Sequence, residues 1–109
     1  MLNGRLVKRK WGWYWTILSR KHFKVKLLRF KSAGKLSLQY HNHRNELWLF
    51  LSGKGSMKTA KVKGMFDIKS GDYYLAATGD LHKYIAITPT WVLEIQYGER
   101  CEESDIVRL

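Results

Sequence analysis

Hydrophobic and polar residues alternate along most of this chain in short runs. The runs recur roughly every 8–12 residues and are separated by glycine, serine, asparagine or aspartate, a pattern typical of a β-sandwich or barrel. No stretch has a clear helical period. The pattern predicts about nine strands, near residues 13–18, 23–30, 36–41, 46–51, 56–62, 65–68, 72–76, 83–87 and 91–97. We therefore predict an all-β protein, with no linker dividing residues 1–109, which we interpret as a single domain.

The strand near residues 46–51 is apolar on both sides. Leu47, Leu49 and Leu51 point to one face, while Trp48 and Phe50 follow Glu46 on the other. A barrel interior can cover one of these faces. The aromatic segment 11–15 or a second copy of the chain would cover the other, and we expect a homodimer.

Length and cysteine content narrow the class of protein. A chain of 109 residues can bury a core without a disulfide framework. Its single cysteine, Cys101, has no internal partner, which favours a reducing compartment, and we expect a cytoplasmic protein. The first five residues contain no apolar signal core, and no stretch has the roughly 18 apolar residues of a membrane helix.

The chain is strongly basic, with 20 lysines and arginines, 9 acidic residues and a formal charge of +11. Many of the basic residues alternate with apolar neighbours, as Lys24 and Lys26 do. We interpret this as the solvated face of strands. Attraction of phosphorylated small molecules is the second interpretation. Nucleic-acid binding is the third and least favoured, because only Trp11–Trp15 beside Lys8–Lys10 offers interleaved aromatic and basic residues.

One group of polar residues departs from this pattern. A period of two places Ser37, Gln39 and His41 on one strand face, and the turn at 42–45 can return Glu46 to the side of His41. His82 follows another glycine-bearing turn. A lone histidine is more often a surface residue than a ligand. Two imidazoles, one carboxylate and one amide together, however, suit a borderline divalent metal and leave coordination positions open.

The spacing of these residues resembles that of the cupins. Glu46 is followed after six residues by Gly53, and Gly71 and Gly79 precede His82 as in the second cupin motif. Counting back from Glu46, His41 falls on the second histidine of the first cupin motif, and Gln39 on the first. The resemblance implies a double-stranded β-helix, a jelly-roll barrel of two antiparallel sheets. It also implies one divalent ion held by Gln39, His41, Glu46 and His82, with zinc first and manganese, cobalt or nickel as alternatives.

A narrower resemblance covers nearly the whole chain. Residues 34–48 are similar to the LSLQ-x-H-x-H-R-x-E-x-W stretch in the cupin domain of bifunctional mannose-1-phosphate guanylyltransferase/mannose-6-phosphate isomerases. Residues 94–98 and 104–108 resemble the closing motifs of that domain. Lys10, Ala33 and Ala77 stand where the family has proline, and Ala86 stands where it has asparagine. The nucleotidyltransferase domain is absent from this sequence.

The resemblance implies a metal-dependent isomerase that interconverts mannose 6-phosphate and fructose 6-phosphate. The group that moves the proton is left open between His43 and Lys83, although Lys83 should point away from His82. The candidate phosphate donors are basic or hydroxylic: Lys35, Ser37, Arg44 and Arg108. The first alternative is a non-catalytic cupin that binds a sugar or nucleotide sugar as an accessory to polysaccharide synthesis. The second is an epimerase or oxygenase on the same barrel.

Overall fold

The computed structural model describes residues 6–109, and all regular structure in that range is β-strand. The strands are β1 (Leu6–Arg9), β2 (Gly12–Ser19), β3 (Phe23–Phe30), β4 (Gln39–Tyr40), β5 (Arg44–Ser52), β6 (Lys54–Thr59), β7 (Met65–Lys69), β8 (Tyr73–Ala76), β9 (His82–Ala86), β10 (Thr90–Gly98) and β11 (Val107–Arg108). Residues 1–5, in which the sequence shows no apolar signal core, lie outside the described residues. No helix in the described part of the chain is long and apolar enough to cross a membrane.

The strands form two antiparallel sheets. The six-stranded sheet has the order β1-β2-β3-β10-β5-β8, and the five-stranded sheet has the order β11-β4-β9-β6-β7. Consecutive strands cross repeatedly between the sheets, as in a jelly roll. The predicted fold class, a double-stranded β-helix of two antiparallel sheets, is confirmed.

The core lies between the two sheets. Phe30, Trp48, Phe50, Met57 and Tyr84 are all at most 2% exposed, and their side chains come from both sheets. The ring of Phe30 stacks on Trp11 at 4.4 Å and meets Tyr84 edge-on at 5.0 Å. Such offset and edge-to-face contacts are the favoured geometries of aromatic pairs.

The interpretation of Lys24 and Lys26 as solvent-facing residues is wrong. Both residues lie on the inner side of β3, at 7% and 5% exposure, while Val25 and Leu27 face outward and are half-buried. Alternation along a strand gives its period, but it does not say which face is inside. Here the inner ammonium groups are compensated by Glu103, which lies at 2.8 Å from Lys24 and 2.6 Å from Lys26.

The predicted strand at 36–41 is mostly irregular. Only Gln39–Tyr40 forms a regular strand, and Lys35 makes an isolated bridge to Ile85. Strict alternation would place Leu36 on the face opposite to Gln39 and His41. All three residues are nevertheless buried, so alternation fails across this segment. The sequence pattern also missed β1 and β11, which are short strands at the edges of the two sheets.

Candidate metal centre

Three side chains from both sheets converge inside one end of the barrel. His41 follows β4 and His82 begins β9 in the five-stranded sheet, while Glu46 comes from β5 in the other sheet. The Nε2 atom of His41 lies 3.1 Å from Glu46 Oε2, and that of His82 lies 3.7 Å from Glu46 Oε1. One potential ligand atom from each residue lies within 4.8 Å of the others. All three residues are at most 3% exposed.

Backbone carbonyls fix the orientation of both imidazoles. The Nδ1 atom of His41 lies 2.7 Å from the carbonyl oxygen of Asp105, and that of His82 lies 3.0 Å from the carbonyl oxygen of Asp80. A carbonyl can only accept, so each Nδ1 carries a proton, and in a neutral ring Nε2 keeps its lone pair. Both Nε2 atoms are buried and lack a hydrogen-bond partner. This is the arrangement of histidines that ligate a metal.

The carboxylate of Glu46 is held ionised. Arg44 donates to Glu46 Oε2 from Nε at 2.9 Å and approaches it with Nη2 at 2.8 Å, and Trp48 Nε1 donates to Oε1 at 3.3 Å. Burial by itself would raise the pKa of Glu46, but His41 and Arg44 hold that pKa well below its usual range. The centre therefore contains a buried anion between two unpartnered nitrogen atoms, a donor set that fits a divalent cation.

The pKa values of the two histidines shift in opposite directions, although the charge of Glu46 raises both. Burial disfavours both imidazolium forms, and in His82 it prevails and lowers the pKa. In His41 the negative charge of Glu46, whose Oε2 atom lies 3.1 Å from Nε2, opposes burial and the net effect raises the pKa. A bound cation would compete with that proton for the Nε2 atom of His41.

Gln39 lies beside this centre. It pairs with His82 across β4 and β9, and it is 6% exposed. Its Oε1 atom accepts a hydrogen bond from Ser37 Oγ at 3.3 Å. Gln39 and Glu46 both line a cavity of about 560 Å³ between the sheets. The role of Gln39 as a ligand stays a prediction.

The structure brings most of the candidate substrate residues to this cavity. Lys35, Ser37, Arg44 and Arg108 all line it. Arg44 is committed elsewhere, since it also donates from Nη1 to the carbonyl oxygen of Glu102 at 2.6 Å.

His43 lies outside the described cavity lining, and its side chain is 34% exposed. Its Nδ1 atom lies 2.7 Å from Glu99 Oε1, and its Nε2 atom lies 2.9 Å from an Arg100 nitrogen. The interpretation of His43 as a catalytic or substrate-binding residue gains no support from this placement.

Sequence reasoning missed two polar residues that line the same cavity. Glu94 and Gln96 alternate with Leu93 and Ile95 on β10, a pattern that suggests polar residues facing solvent. In the folded chain the polar pair faces inward, at 5% and 1% exposure. Two signals were available: residues 94–98 resemble a closing motif of the family domain, and Glu94 and Gln96 share the strand parity of Val92, which is fully buried.

The C-terminal segment closes the cavity and supports the centre. Asp105 accepts hydrogen bonds from the backbone amides of Asn42 and His43, both at 2.9 Å, in addition to its carbonyl contact with His41. β11 then pairs with β4. The tail therefore fixes the turn that carries His41.

The sequence of residues 2–109 matches the protein-family model described as "Mannose-6-phosphate isomerase C-terminal". The chain is 35% identical over 115 residues to the xanthan biosynthesis protein XanB of Xanthomonas campestris pv. campestris (strain B100), with 95% of this chain covered. It is 32% identical over 103 residues to the mannose-1-phosphate guanylyltransferase RfbM of Salmonella typhimurium (strain LT2), with 94% of this chain covered. The chain spans 22% of the length of each relative.

Solved structures support the fold assignment. A Klebsiella pneumoniae protein with a double-stranded β-helix domain superposes with a TM-score of 0.74 at 14% sequence identity, over 99% of this chain and 87% of that one. At this level of identity the likeness concerns the fold alone.

Proposed function

Because this chain belongs to the mannose-6-phosphate isomerase C-terminal family of cupins, we propose that it is a metal-dependent isomerase of a phosphorylated hexose. The proposed reaction interconverts mannose 6-phosphate and fructose 6-phosphate. The observation that carries the proposal is the pair of orphaned Nε2 atoms, on His41 and His82, beside the ionised Glu46. This cluster adjoins a cavity of about 560 Å³ that is lined by both charged and apolar side chains.

The proposed cofactor is one divalent ion held by His41, Glu46, His82 and Gln39. Two imidazole nitrogens with one carboxylate and one amide oxygen favour zinc, and manganese, cobalt and nickel accept the same donors. When bound, such an ion supplies Lewis-acid polarisation of the oxygens on the two reacting carbons. The backbone carbonyls of Asp105 and Asp80 keep the imidazoles in the ligating tautomer.

Cationic and hydroxyl groups on the cavity wall support a phosphorylated substrate. Lys35, Ser37 and Arg108 line the cavity, together with Arg9 and Lys10. The guanidinium of Arg44 already binds Glu46 and the tail. We therefore assign phosphate binding to Lys35, Ser37 and Arg108, because guanidinium and ammonium groups pair with phosphate oxygens and a hydroxyl adds a hydrogen bond.

A second candidate function is a non-catalytic cupin that binds a sugar or nucleotide sugar during polysaccharide synthesis. It is favoured by the names of the relatives, which refer to xanthan biosynthesis and to mannose-1-phosphate guanylyltransferase. The same cavity would serve this role without turnover.

We also propose that the protein forms a homodimer through the outer face of the six-stranded sheet. Two rows of mainly apolar side chains cross this face in register: Trp15, Leu27, Leu93, Leu49 and Tyr73, and beside them Leu18, Val25, Ile95, Leu47 and Leu75. Neither row carries a charge, although the chain has a formal charge of +11. A second copy can therefore pack here without bringing like charges together.

The function is tested by incubating zinc-loaded protein with mannose 6-phosphate and following fructose 6-phosphate. The controls are the chelator-treated protein, the same sample after zinc is restored, and the variant His82→Ala. Conversion that depends on zinc and is lost in the variant supports the isomerase. Calorimetric binding of mannose 6-phosphate or GDP-mannose without conversion supports the second candidate, and the absence of both binding and conversion overturns both.

A further inference from the structure

A buried carboxyl and a buried amide form a pair on the cavity wall. Glu94 and Gln96 lie on the inner face of β10, and Gln96 Nε2 donates to Glu94 Oε1 at 2.8 Å. Both side chains line the cavity that Glu46 also lines. The pair is therefore part of the wall that a bound substrate would meet.

The strand register places this pair next to the candidate metal centre. Gln96 is directly opposite Glu46 across β10 and β5, and Glu94 is opposite Trp48. Directly opposed side chains on one sheet face have Cβ atoms about 5 Å apart, and diagonal neighbours lie about 7–8 Å apart. Glu94 is thus a diagonal neighbour of Glu46 on the same sheet face. It is close to the candidate metal centre but is not one of the proposed ligands.

No cationic side chain of the described residues forms an ion pair with Glu94. Its cross-strand neighbour Lys26 turns its Nζ atom to Glu103, at 2.6 Å, and over the ring of Tyr14, at 4.0 Å. Among residues 6–109, no lysine, arginine or histidine nitrogen lies within 4.0 Å of the Glu94 carboxyl. A buried carboxyl without an ion pair keeps its proton more readily than one that is paired with a cation.

The titration of Glu94 agrees with this geometry. Burial, together with the negative charge of Glu46, raises the pKa of Glu94 to about 7, against the opposing effects of Lys26, Gln96 and Arg44. A general base is most effective when its pKa lies near the working pH.

The amide oxygen of Gln96 has no partner. Gln96 is 1% exposed, and its Oε1 atom is buried without a hydrogen bond among the described residues. A buried acceptor left unsatisfied is costly unless a ligand completes it. In a cavity wall, a sugar hydroxyl supplies the missing donor.

We propose that Glu94 is the catalytic base that moves the proton between C2 and C1 of the sugar phosphate, and that Gln96 binds a sugar hydroxyl and orients Glu94. This assignment rests on the proposed isomerase function. The Glu94 carboxylate removes the proton from C2 of open-chain mannose 6-phosphate, the C2–H electron pair forms the C1=C2 bond, and the carbonyl pair moves to O1.

The second half of the reaction returns to the sugar the proton that Glu94 carries, which in a fraction of turnovers has exchanged with solvent. The hydroxyl proton on O2 passes to O1, the electron pair on O2 restores a carbonyl at C2, and C1 takes the proton back from Glu94. The product is fructose 6-phosphate, and no external oxidant, reductant or net proton is required.

The test compares Glu94→Gln with wild type and with Glu102→Gln, a matched control whose side chain is exposed. Each protein is assayed for kcat and KM with mannose 6-phosphate, for exchange of the C2 hydrogen with deuterated solvent, for calorimetric Kd and for zinc content. We expect Glu94→Gln to lower kcat by about 10²–10⁴-fold and to abolish exchange. Its zinc content and Kd should stay close to those of wild type, and Glu102→Gln should behave as wild type.

Two further variants keep the assignment falsifiable if Glu94→Gln does not fold. Glu94→Asp withdraws the carboxyl by one methylene and should lower kcat at least tenfold with zinc retained. Gln96→Met should raise KM about tenfold through the lost hydrogen bond. If wild type is active and Glu94→Gln or Glu94→Asp has a similar kcat, the assignment of Glu94 as the base is overturned and the proposed function is not. An unchanged KM in Gln96→Met overturns the role of Gln96. A wild type that converts no mannose 6-phosphate overturns the proposed function and this assignment with it.

Discussion

Substituting Glu103 by glutamine should destabilise the fold far more than a surface charge change does. Glu103 binds Lys24 at 2.8 Å and Lys26 at 2.6 Å, and these two lysine side chains are only 9% and 6% exposed. Without the carboxylate, two buried ammonium groups lose their counter-charge. Two hydrogen bonds between charged groups are worth about 3–6 kcal/mol. The 50% exposure of Glu103 reduces this through solvent screening, so we expect a loss of roughly 2–3 kcal/mol.

The assay is urea unfolding followed by tryptophan fluorescence at pH 7, with Glu102→Gln as the matched control. In a thermal melt the same loss corresponds to a fall in Tm of roughly 10–20 °C for a domain of this size. Burial disfavours the charged form of Glu103, but Lys26 and Lys24 hold its pKa at about 2, below its ordinary 4.5. A depressed folded-state pKa stabilises the fold above the unfolded value and loses that contribution as pH falls.

The difference in the free energy of unfolding between wild type and Glu103→Gln should therefore be constant above about pH 5. It should decrease as pH falls from about 4.5 towards 2. A difference below 1 kcal/mol at pH 7, or a gap that does not change across the acid range, would refute the argument that Glu103 neutralises the buried lysines.

Three other substitutions test separate parts of the structure. Asp105→Ala removes the acceptor of the Asn42 and His43 amides and should lower the free energy of unfolding in urea by about 2–3 kcal/mol. A loss below about 0.5 kcal/mol would contradict this prediction. Ala33 has a φ of 65°, so Ala33→Gly should raise stability by about 0.5–1 kcal/mol, and a measured loss would contradict the strain argument. Leu49→Glu on the outer face should convert the proposed dimer to monomer in sedimentation velocity, and a wild type that is already monomeric at high concentration would disprove the interface.

The fold was predictable because its strands follow a simple alternation of side chains. Phe23–Phe30 was predicted with the bounds that the structure has. The pattern could not show which face of a strand points into the core, because a period of two divides the residues into two faces without distinguishing them. On β3 and β10 the polar residues Lys26 and Glu94 face inward, and the charge of Lys26 is compensated by Glu103, which is distant in sequence. The two-residue strand β11 lacks any local pattern, and it exists only because the tail returns to β4.

The candidate site was predictable from spacing rather than from local preference. His41, Glu46 and His82 do converge, although Glu46 and His82 are separated by 35 residues that include β6, β7 and β8. The cavity wall contributed by β10 was missed. Gln96 lies opposite Glu46 only because β10 pairs with β5 in this register, and a single sequence contains no signal for such pairing.

The proposed metal centre is tested most directly by the zinc content of purified variants, measured by plasma mass spectrometry. We expect one zinc per chain in wild type, and a loss of affinity exceeding about 100-fold in His41→Ala, Glu46→Ala and His82→Ala, beyond what changes outside the ligand set cause. Gln39→Ala should weaken binding less, since a neutral amide is the poorest of the donors, and His43→Ala should leave zinc nearly intact. A zinc-free His43→Ala beside a fully loaded Gln39→Ala would contradict the account.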